Sequence, residues 1–281
     1  MIGELSRFIK TANTGNITKT AEKLFITQSA LTQSIQRLEK ELGTKLFSQK
    51  GKTLQLTPEG EAVVEIGTRI IDLWEKAKQV HDKQTIRPHY TIGTFDNAAL
   101  KLGNYFQLQK QQNSLDLELI IQRSNKLISQ LQFGILDIAI CVIDKKNPIS
   151  NDLLLLETFT EELIPVSAKI FKENIENIPF ILYNKGSFSR QDIDDTFIKA
   201  GIAPKIFAES TSVSFMKELA ILGSGVALLP ENIIKAELKQ KLLKKQKLPI
   251  SWKREFGIFI AKDGRLQKDN QIIKELINHL N

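Results

Sequence analysis

From Thr27 to Glu39 the chain reads TQSALTQSIQRLE, and its polar positions are mostly hydroxyls and amides rather than the Glu and Lys of an ordinary surface helix. Such side chains donate and accept hydrogen bonds at base edges, without the repulsion that Asp or Glu meets beside phosphate. Gln28, Ser29, Thr32 and Gln33 fall at the N-terminal end of the helix this stretch predicts, where base contacts are usually made; Gln36 and Arg37 extend the same face. Lys50 and Lys52, on either side of Gly51, offer a second chemistry. They are cations that neutralise backbone phosphates, adding affinity and salt dependence rather than sequence choice. A third set is Thr94, Ser124, Ser210, Thr211 and Ser212, hydroxyls beside expected helix starts, with Asn97 close to the first of them. Free N–H groups and the helix dipole at such starts favour a carboxylate. The carboxyl ends of sheet strands are also where α/β folds take ligands. Cys141, late in the apolar run LDIAICVI, stands where it would line that crevice, although the run itself favours a buried, inert thiol.

The elements that must position these groups are set by periodicity and caps. Leu31, Ile35, Leu38 and Leu42 recur at helical spacing and define the buried side of the helix that Thr27 caps. Before it, LSRFIKTANTG predicts a helix closed by Gly15, and Asn16 caps ITKTAEKL with Ile17, Ala21 and Leu24 inward. Two short helices joined by a tight turn, the second polar outside, make a helix-turn-helix. GTKLFSQKGKTLQLT then predicts a wing, a hairpin with Leu46, Phe47 and Leu54 inward and the lysines at its turn. Thr57-Pro58 starts a long helix in which Val63, Ile66, Ile70, Leu73, Ala77 and Val80 fall at spacings of 3, 4, 3, 4 and 3. That is the seam of a self-associating helix, widened by Ile71 and Trp74. A symmetric dimer built on it presents two recognition helices to two half-sites. Three domains follow: a DNA-binding domain over 1–57, a dimerisation helix over 58–86, and a remainder over 87–281.

That remainder alternates apolar strand-like runs with helical patterns, which argues an α/β domain with a largely parallel sheet. The strands expected are YTIGT, LELII, LDIAICVI, EELIPVS, PFILY, PKIFAES, GVALLP and EFGIFIA. A single helix is expected over NAALKLGNYFQLQKQ, and others over SNKLISQLQFG, 191–200, 213–223, 231–245 and 266–280.

Composition narrows the class. The charge of +7 fits a polyanion partner, and residues 1–60 hold nine Lys or Arg against five Glu. One cysteine rules out an intramolecular disulfide and weakens a thiol switch, since Cys141 has no resolving partner. Glu4, Arg7 and Lys10 interrupt any secretion signal, and no apolar run approaches the roughly 18 residues that span a membrane. A cytoplasmic protein without membrane association is therefore expected. His81, His89 and His279 have no Ser, Cys or carboxylate at a meaningful spacing, and metal-ligand clusters and phosphate loops are absent. Neither an enzyme nor a protein with a cofactor or metal is indicated. A solute-binding protein unconnected to DNA is opposed by the winged motif.

The stretch from Phe8 to Gly60 resembles the winged helix-turn-helix of the LysR-type transcriptional regulators. Its landmarks stand in order: TQSALT, Ile35, Leu38-Glu39, Leu42-Gly43 and Leu46-Phe47. QFGILDIAI and the later LGSGVALLP resemble landmarks of that family's effector domain, so the resemblance spans essentially the whole chain. It implies a homodimer, often a dimer of dimers, that binds double-stranded promoter DNA, with RNA polymerase as a further partner. It also implies a two-lobed effector domain of the periplasmic-binding-protein fold (type II) that takes a small effector. Lobe I would comprise about 89–160 and 263–281, and lobe II about 161–262. On the family pattern Thr18 joins Lys50 and Lys52 as a phosphate contact. Gln49 stands at a wing position where the family usually has Arg; a neutral amide there neutralises no phosphate.

Overall fold

The structure, a computed structural model, describes residues 1–50, 53–78, 88–112 and 115–280, without the side chains at 49, 50, 53 and 76. The chain forms two compact units, Met1–Ile86 and Arg87–Asn281.

The first unit follows its caps. Helix α1 (Ile2–Thr14) ends at Gly15, whose φ of 65° is the left-handed conformation that closes a helix without a Cβ penalty. Helix α2 (Ile17–Lys23) is capped by Asn16, which accepts from the Lys19 N–H at 3.0 Å. Helix α3 (Gln28–Leu42) is capped by Thr27, which accepts from the Ala30 N–H at 3.2 Å. Leu31, Ile35 and Leu38 are buried as expected, whereas Leu42 is 47% exposed, because α3 stops there and Gly43 turns the chain away. Strands β1 (Phe47–Lys50) and β2 (Thr53–Leu56) pair antiparallel with Lys50 opposite Thr53, the expected hairpin.

Helix α4 (Pro58–Lys78) begins where Thr57 accepts from the Gly60 N–H at 2.9 Å and donates to the Lys45 carbonyl at 2.7 Å. One cap thus serves both the helix and the strand leading into the wing. Gly60 is required at that join, since a Cβ there would lie 2.1 Å from the Leu46 carbonyl oxygen. Val63, Val64 and Ile71 pack on the core of Leu5, Phe8, Ile9, Leu38 and Leu46. The stripe containing Ile70, Leu73 and Trp74 remains 42–50% exposed.

The second unit is built on one long sheet. Its strands are β3 (His89–Thr94), β4 (Asp116–Ile121), β5 (Ile138–Val142), β6 (Leu153–Ser167), β7 (Pro179–Tyr183), β8 (Lys205–Ser210), β9 (Val226–Pro230), β10 (Lys244–Lys245) and β11 (Trp252–Ala261). The order is β4-β3-β5-β11-β6-β9-β7-β8, with β10 paired to β6. Two parallel groups, β4-β3-β5 and β9-β7-β8, are joined through the antiparallel pair β6 and β11. Each member of that pair serves two cores. Phe159 and Phe256 stack with centroids 5.1 Å apart in the core of the first lobe. Leu163, Val166 and Trp252 lie in the core of the second lobe, where Trp252 packs edge-on to Phe180 and beside Phe197. The chain crosses outward near Glu161 and returns near Arg254.

Helices α5 (Asp96–Lys101), α6 (Gly103–Gln112), α7 (Ser124–Gln132), α8 (Phe188–Lys199), α9 (Val213–Ile221), α10 (Glu231–Lys239) and α11 (Gln271–Leu280) cover the sheet. Several expectations change. The sheet, expected to be largely parallel, is parallel only within its two outer groups; β5-β11-β6-β9 and β10 pair antiparallel, because β6 and β11 carry the chain between the lobes. The helix expected over 266–280 starts only at Gln271. The helix expected over 97–111 is two helices that break at Leu102. The strand expected over EELIPVS begins eight residues earlier, at Leu153, because LLLLETFT forms the first half of the crossing strand. The helix expected over 231–245 ends at Lys239, and Lys244–Lys245 pairs instead with β6. Among the described residues no helix is long and apolar enough to cross a membrane.

Candidate nucleic-acid interface and effector cleft

Thr18, Gln28, Ser29, Gln33, Gln36 and Arg37 are exposed and Thr32 is half-buried, so the expected reading face is open to solvent. The Thr18 hydroxyl donates to Gln28 Oε1 at 3.3 Å, tying the starts of α2 and α3 together. Thr32 turns its hydroxyl proton back to the Gln28 carbonyl at 2.9 Å, and Ser29 Oγ lies 3.0 Å from Thr27 Oγ1. Both hydroxyls keep an acceptor lone pair, and the Gln33 and Gln36 amides keep full donor and acceptor capacity. Arg37 approaches Glu4 at 3.7 Å on the surface. Lys50 contributes its backbone to β1; its side chain, Lys52 and Val80 lie outside the described residues.

No local pattern announces a role for Glu39, and the structure gives it one. Its Oε1 accepts from the Leu46 N–H at 2.9 Å and its Oε2 pairs with Lys45 Nζ at 2.6 Å. Burial works against its charge, but the Lys45 and backbone hydrogen bonds outweigh it and hold the carboxyl below its ordinary range. The acid in the recognition helix is thus turned inward to fasten the wing.

In the second unit a cavity of about 610 Å³ opens between the lobes. Of the predicted residues, Asn97, Ser124 and Thr211 line it. Thr94 does not. It shares the face of Ile92, points into the first-lobe core, and is fully buried with no hydrogen-bond partner for its hydroxyl among the described residues. Nor does Cys141: strand alternation sends Val142 to the cavity and Cys141 to the opposite face, where burial pushes its thiol far up. Ser210 and Ser212 are taken up locally. Ser210 accepts from the Ser212 N–H at 2.9 Å, and Ser212 caps α9 by accepting from the Phe215 N–H at 3.3 Å.

Ser124 accepts from the Val142 N–H at 3.0 Å, which leaves its hydroxyl proton for another acceptor. Arg123, the residue before α7, provides no side-chain cap, and Asn125 Oδ1 takes only the Lys126 N–H at 2.9 Å, so the Ser124 and Asn125 N–H groups have no partner among the described residues; Arg123 and Lys126 flank that start on the cavity wall. Cations and uncapped N–H groups together make an anion subsite.

Arg254 was missed, although the alternation Trp252, Arg254, Phe256 places it inward by period two. It is buried at the crossing, with Nε 2.8 Å from Glu161 Oε2 and Nη1 3.0 Å from Ser189 Oγ. Its guanidinium carbon lies 4.9 Å from the Phe95 ring centroid and 5.6 Å from that of Tyr183. Burial disfavours its charge, but Tyr183 and Glu161 outweigh that and hold its pKa above the ordinary range. Asn97 donates to the other oxygen of Glu161. These groups join both lobes at the cavity floor.

A winged helix-turn-helix in one unit and a two-lobed α/β fold with a ligand-sized cleft in the other define a DNA-binding regulator with a small-molecule domain. Residues 2–61 match the model of the bacterial regulatory helix-turn-helix protein, lysR family, and residues 87–280 match that of the LysR substrate binding domain. The chain belongs to the LysR family of transcriptional regulators, whose members here are regulators and not enzymes. It is 26% identical over 251 residues to the HTH-type transcriptional regulator CysL of Bacillus subtilis, covering 83% of this chain and 82% of that protein. It is 25% identical over 236 residues to the transcriptional activator CmpR of Synechocystis, covering 79% and 76%. Its fold is similar to that of CbnR, a LysR family regulator, at a TM-score of 0.66 and 17% identity over 100% of this chain and 98% of that one. The DNA-bound DarR of Vibrio fischeri matches at 0.56 and 21%, again over 100% and 98%.

Proposed function

We propose that this regulator acts in the cytoplasm as a homodimer, or a dimer of dimers, and reads its operator through Gln28, Ser29, Thr32, Gln33, Gln36 and Arg37. Thr18, Lys50 and Lys52 contact phosphates, and α4 pairs with its copy in the partner subunit. A small anionic effector binds between the lobes of the second unit and alters promoter occupancy, and RNA polymerase is the partner that responds. The observation that carries the effector reading is the start of α7 on the cavity wall, where the Ser124 and Asn125 N–H groups are open and Arg123 and Lys126 stand beside them. DarR and CbnR have each been solved with DNA, which supports the same use of the first unit here.

The test is fluorescence anisotropy of the full-length protein with DNA flanking its own gene, against a scrambled duplex, across a salt series. Tighter binding to the native fragment that persists as salt rises is expected. Small carboxylates added to the complex should change that affinity in the wild type but not in the double variant Arg123→Ala/Lys126→Ala. Equal effects in both proteins would remove the anion subsite.

A further inference from the structure

The cleft has two poles, and only one of them suits an anion. Loops leaving neighbouring strands carry them. β3 and β4 are paired with Thr94 opposite Ile121, and the Gln122 N–H donates to the Thr94 carbonyl at 3.0 Å. Just beyond Ile121 come Arg123, Ser124 and Lys126, the donor pole already described. Just beyond Thr94 come Asp96 and Asn97, which line the same cavity. Paired strands lie about 4.8 Å apart, so one small molecule spans both loops.

The second pole accepts. Asn97 is 1% exposed, its Nδ2 is held by Glu161, and its Oδ1 has no hydrogen-bond partner among the described residues. That bond also fixes the amide orientation, because the flipped form would set two acceptors against each other. Asp96 is an exposed carboxylate on the cavity wall. Glu161 and Arg254 neutralise one another, so Asp96 opposes the charges of Arg123 and Lys126 across the opening. A ligand that is anionic throughout would meet repulsion at Asp96 and leave the Asn97 carbonyl oxygen buried and unpaired, which is costly.

We infer that the effector is a zwitterion of the amino-acid class. Its carboxylate sits at the start of α7 with Arg123, Ser124 and Lys126, and its ammonium sits between Asp96 and the Asn97 carbonyl oxygen. The remainder of the molecule extends toward the second lobe, where Phe188 offers an apolar surface and Ser187 and Thr211 offer hydroxyls. This rests on the cleft being the effector site and adds which chemistry the site selects.

Isothermal titration of the full-length protein against the proteinogenic L-amino acids, each paired with its deamino carboxylate and its 2-hydroxy acid, tests the inference. At least one amino acid should bind, with both analogues weaker by about tenfold or more, the effect of losing a charged hydrogen bond. Asp96→Asn, an exposed change that leaves the fold intact, should reduce that preference, and Arg123→Ala should weaken the amino acid and its analogues alike. If carboxylates without an ammonium bind as tightly and Arg123→Ala weakens them, the zwitterion falls while the cleft reading stands. Binding indifferent to both substitutions overturns both, and a panel in which no amino acid binds overturns the zwitterion.

Discussion

Glu39 lies within the recognition helix yet serves the wing, and its effect on stability can be stated with its sign. Removing it in Glu39→Ala strands the Leu46 N–H in the core of the first unit, a loss of about 1–3 kcal/mol by urea unfolding at pH 7. The folded carboxyl titrates below its ordinary value of 4.5, so its contribution is fully present above that pH and is lost as pH falls through the folded value. The wild-type advantage over the variant should therefore shrink on going from pH 5 toward pH 2; an advantage independent of pH would exclude the ionised staple. Gln33 and Lys50 separate the two kinds of DNA contact. Gln33→Ala should change sequence preference, costing about 1–3 kcal/mol on the specific site alone. Lys50→Ala should weaken all duplexes and flatten the salt dependence. Single residues were legible in the sequence where their role depended on neighbours along the chain. Asn16, Thr27 and Thr57 cap the helices they were expected to cap. Arg254 and Glu161 were not legible, because their meaning arises only when two strands remote in sequence cross; Asn97 was legible as a cleft residue, but its bond to Glu161 was not.

At the scale of elements, α4 carries two faces. One, with Val63, Val64 and Ile71, is used inside its own unit, and Gly67 permits close approach to α1, since a Cβ there would lie 2.7 Å from Leu5 Cδ1. The other, with Ile70, Leu73 and Trp74, is half-exposed and has an apolar character that an isolated unit does not need. The seam in the sequence mixed these faces, since Val63 belongs to the inward one. Ile70→Glu should leave the unit folded and weaken self-association by about 100-fold or more, read by sedimentation velocity; an intact dimer at micromolar concentration would refute the seam. Periodicity found nearly every element but misjudged lengths where tertiary pairing decides them. β6 runs through polar positions because both halves of it have β11 as a partner, and no local pattern announces that.

For the whole effector-binding unit, lobe geometry rests on two crossing strands and on one further clasp away from the cavity wall. Lys145 and Lys146, in the loop after β5, reach α8 of the second lobe, pairing with Asp192 at 3.3 Å and Asp195 at 3.2 Å. Lys145 also lies 3.9 Å from Glu255 on β11, close to the crossing. Burial raises the Asp192 carboxyl above its ordinary range despite the attraction of Lys145. Each such pair is worth about 0.2–1 kcal/mol, small against folding but comparable with the 1–3 kcal/mol by which a ligand couples to a conformational equilibrium. Because the same helix α8 supplies Phe188 and Ser189 to the cavity, loosening the clasp must be felt at the cleft. The double variant Lys145→Ala/Lys146→Ala should keep its thermal stability within about 2 kcal/mol, yet show roughly 2- to 10-fold faster amide exchange in α8 and in the loop after β5. Exchange unchanged in both segments would mean that the crossing strands alone set the lobe geometry, and that effector binding is registered without this clasp.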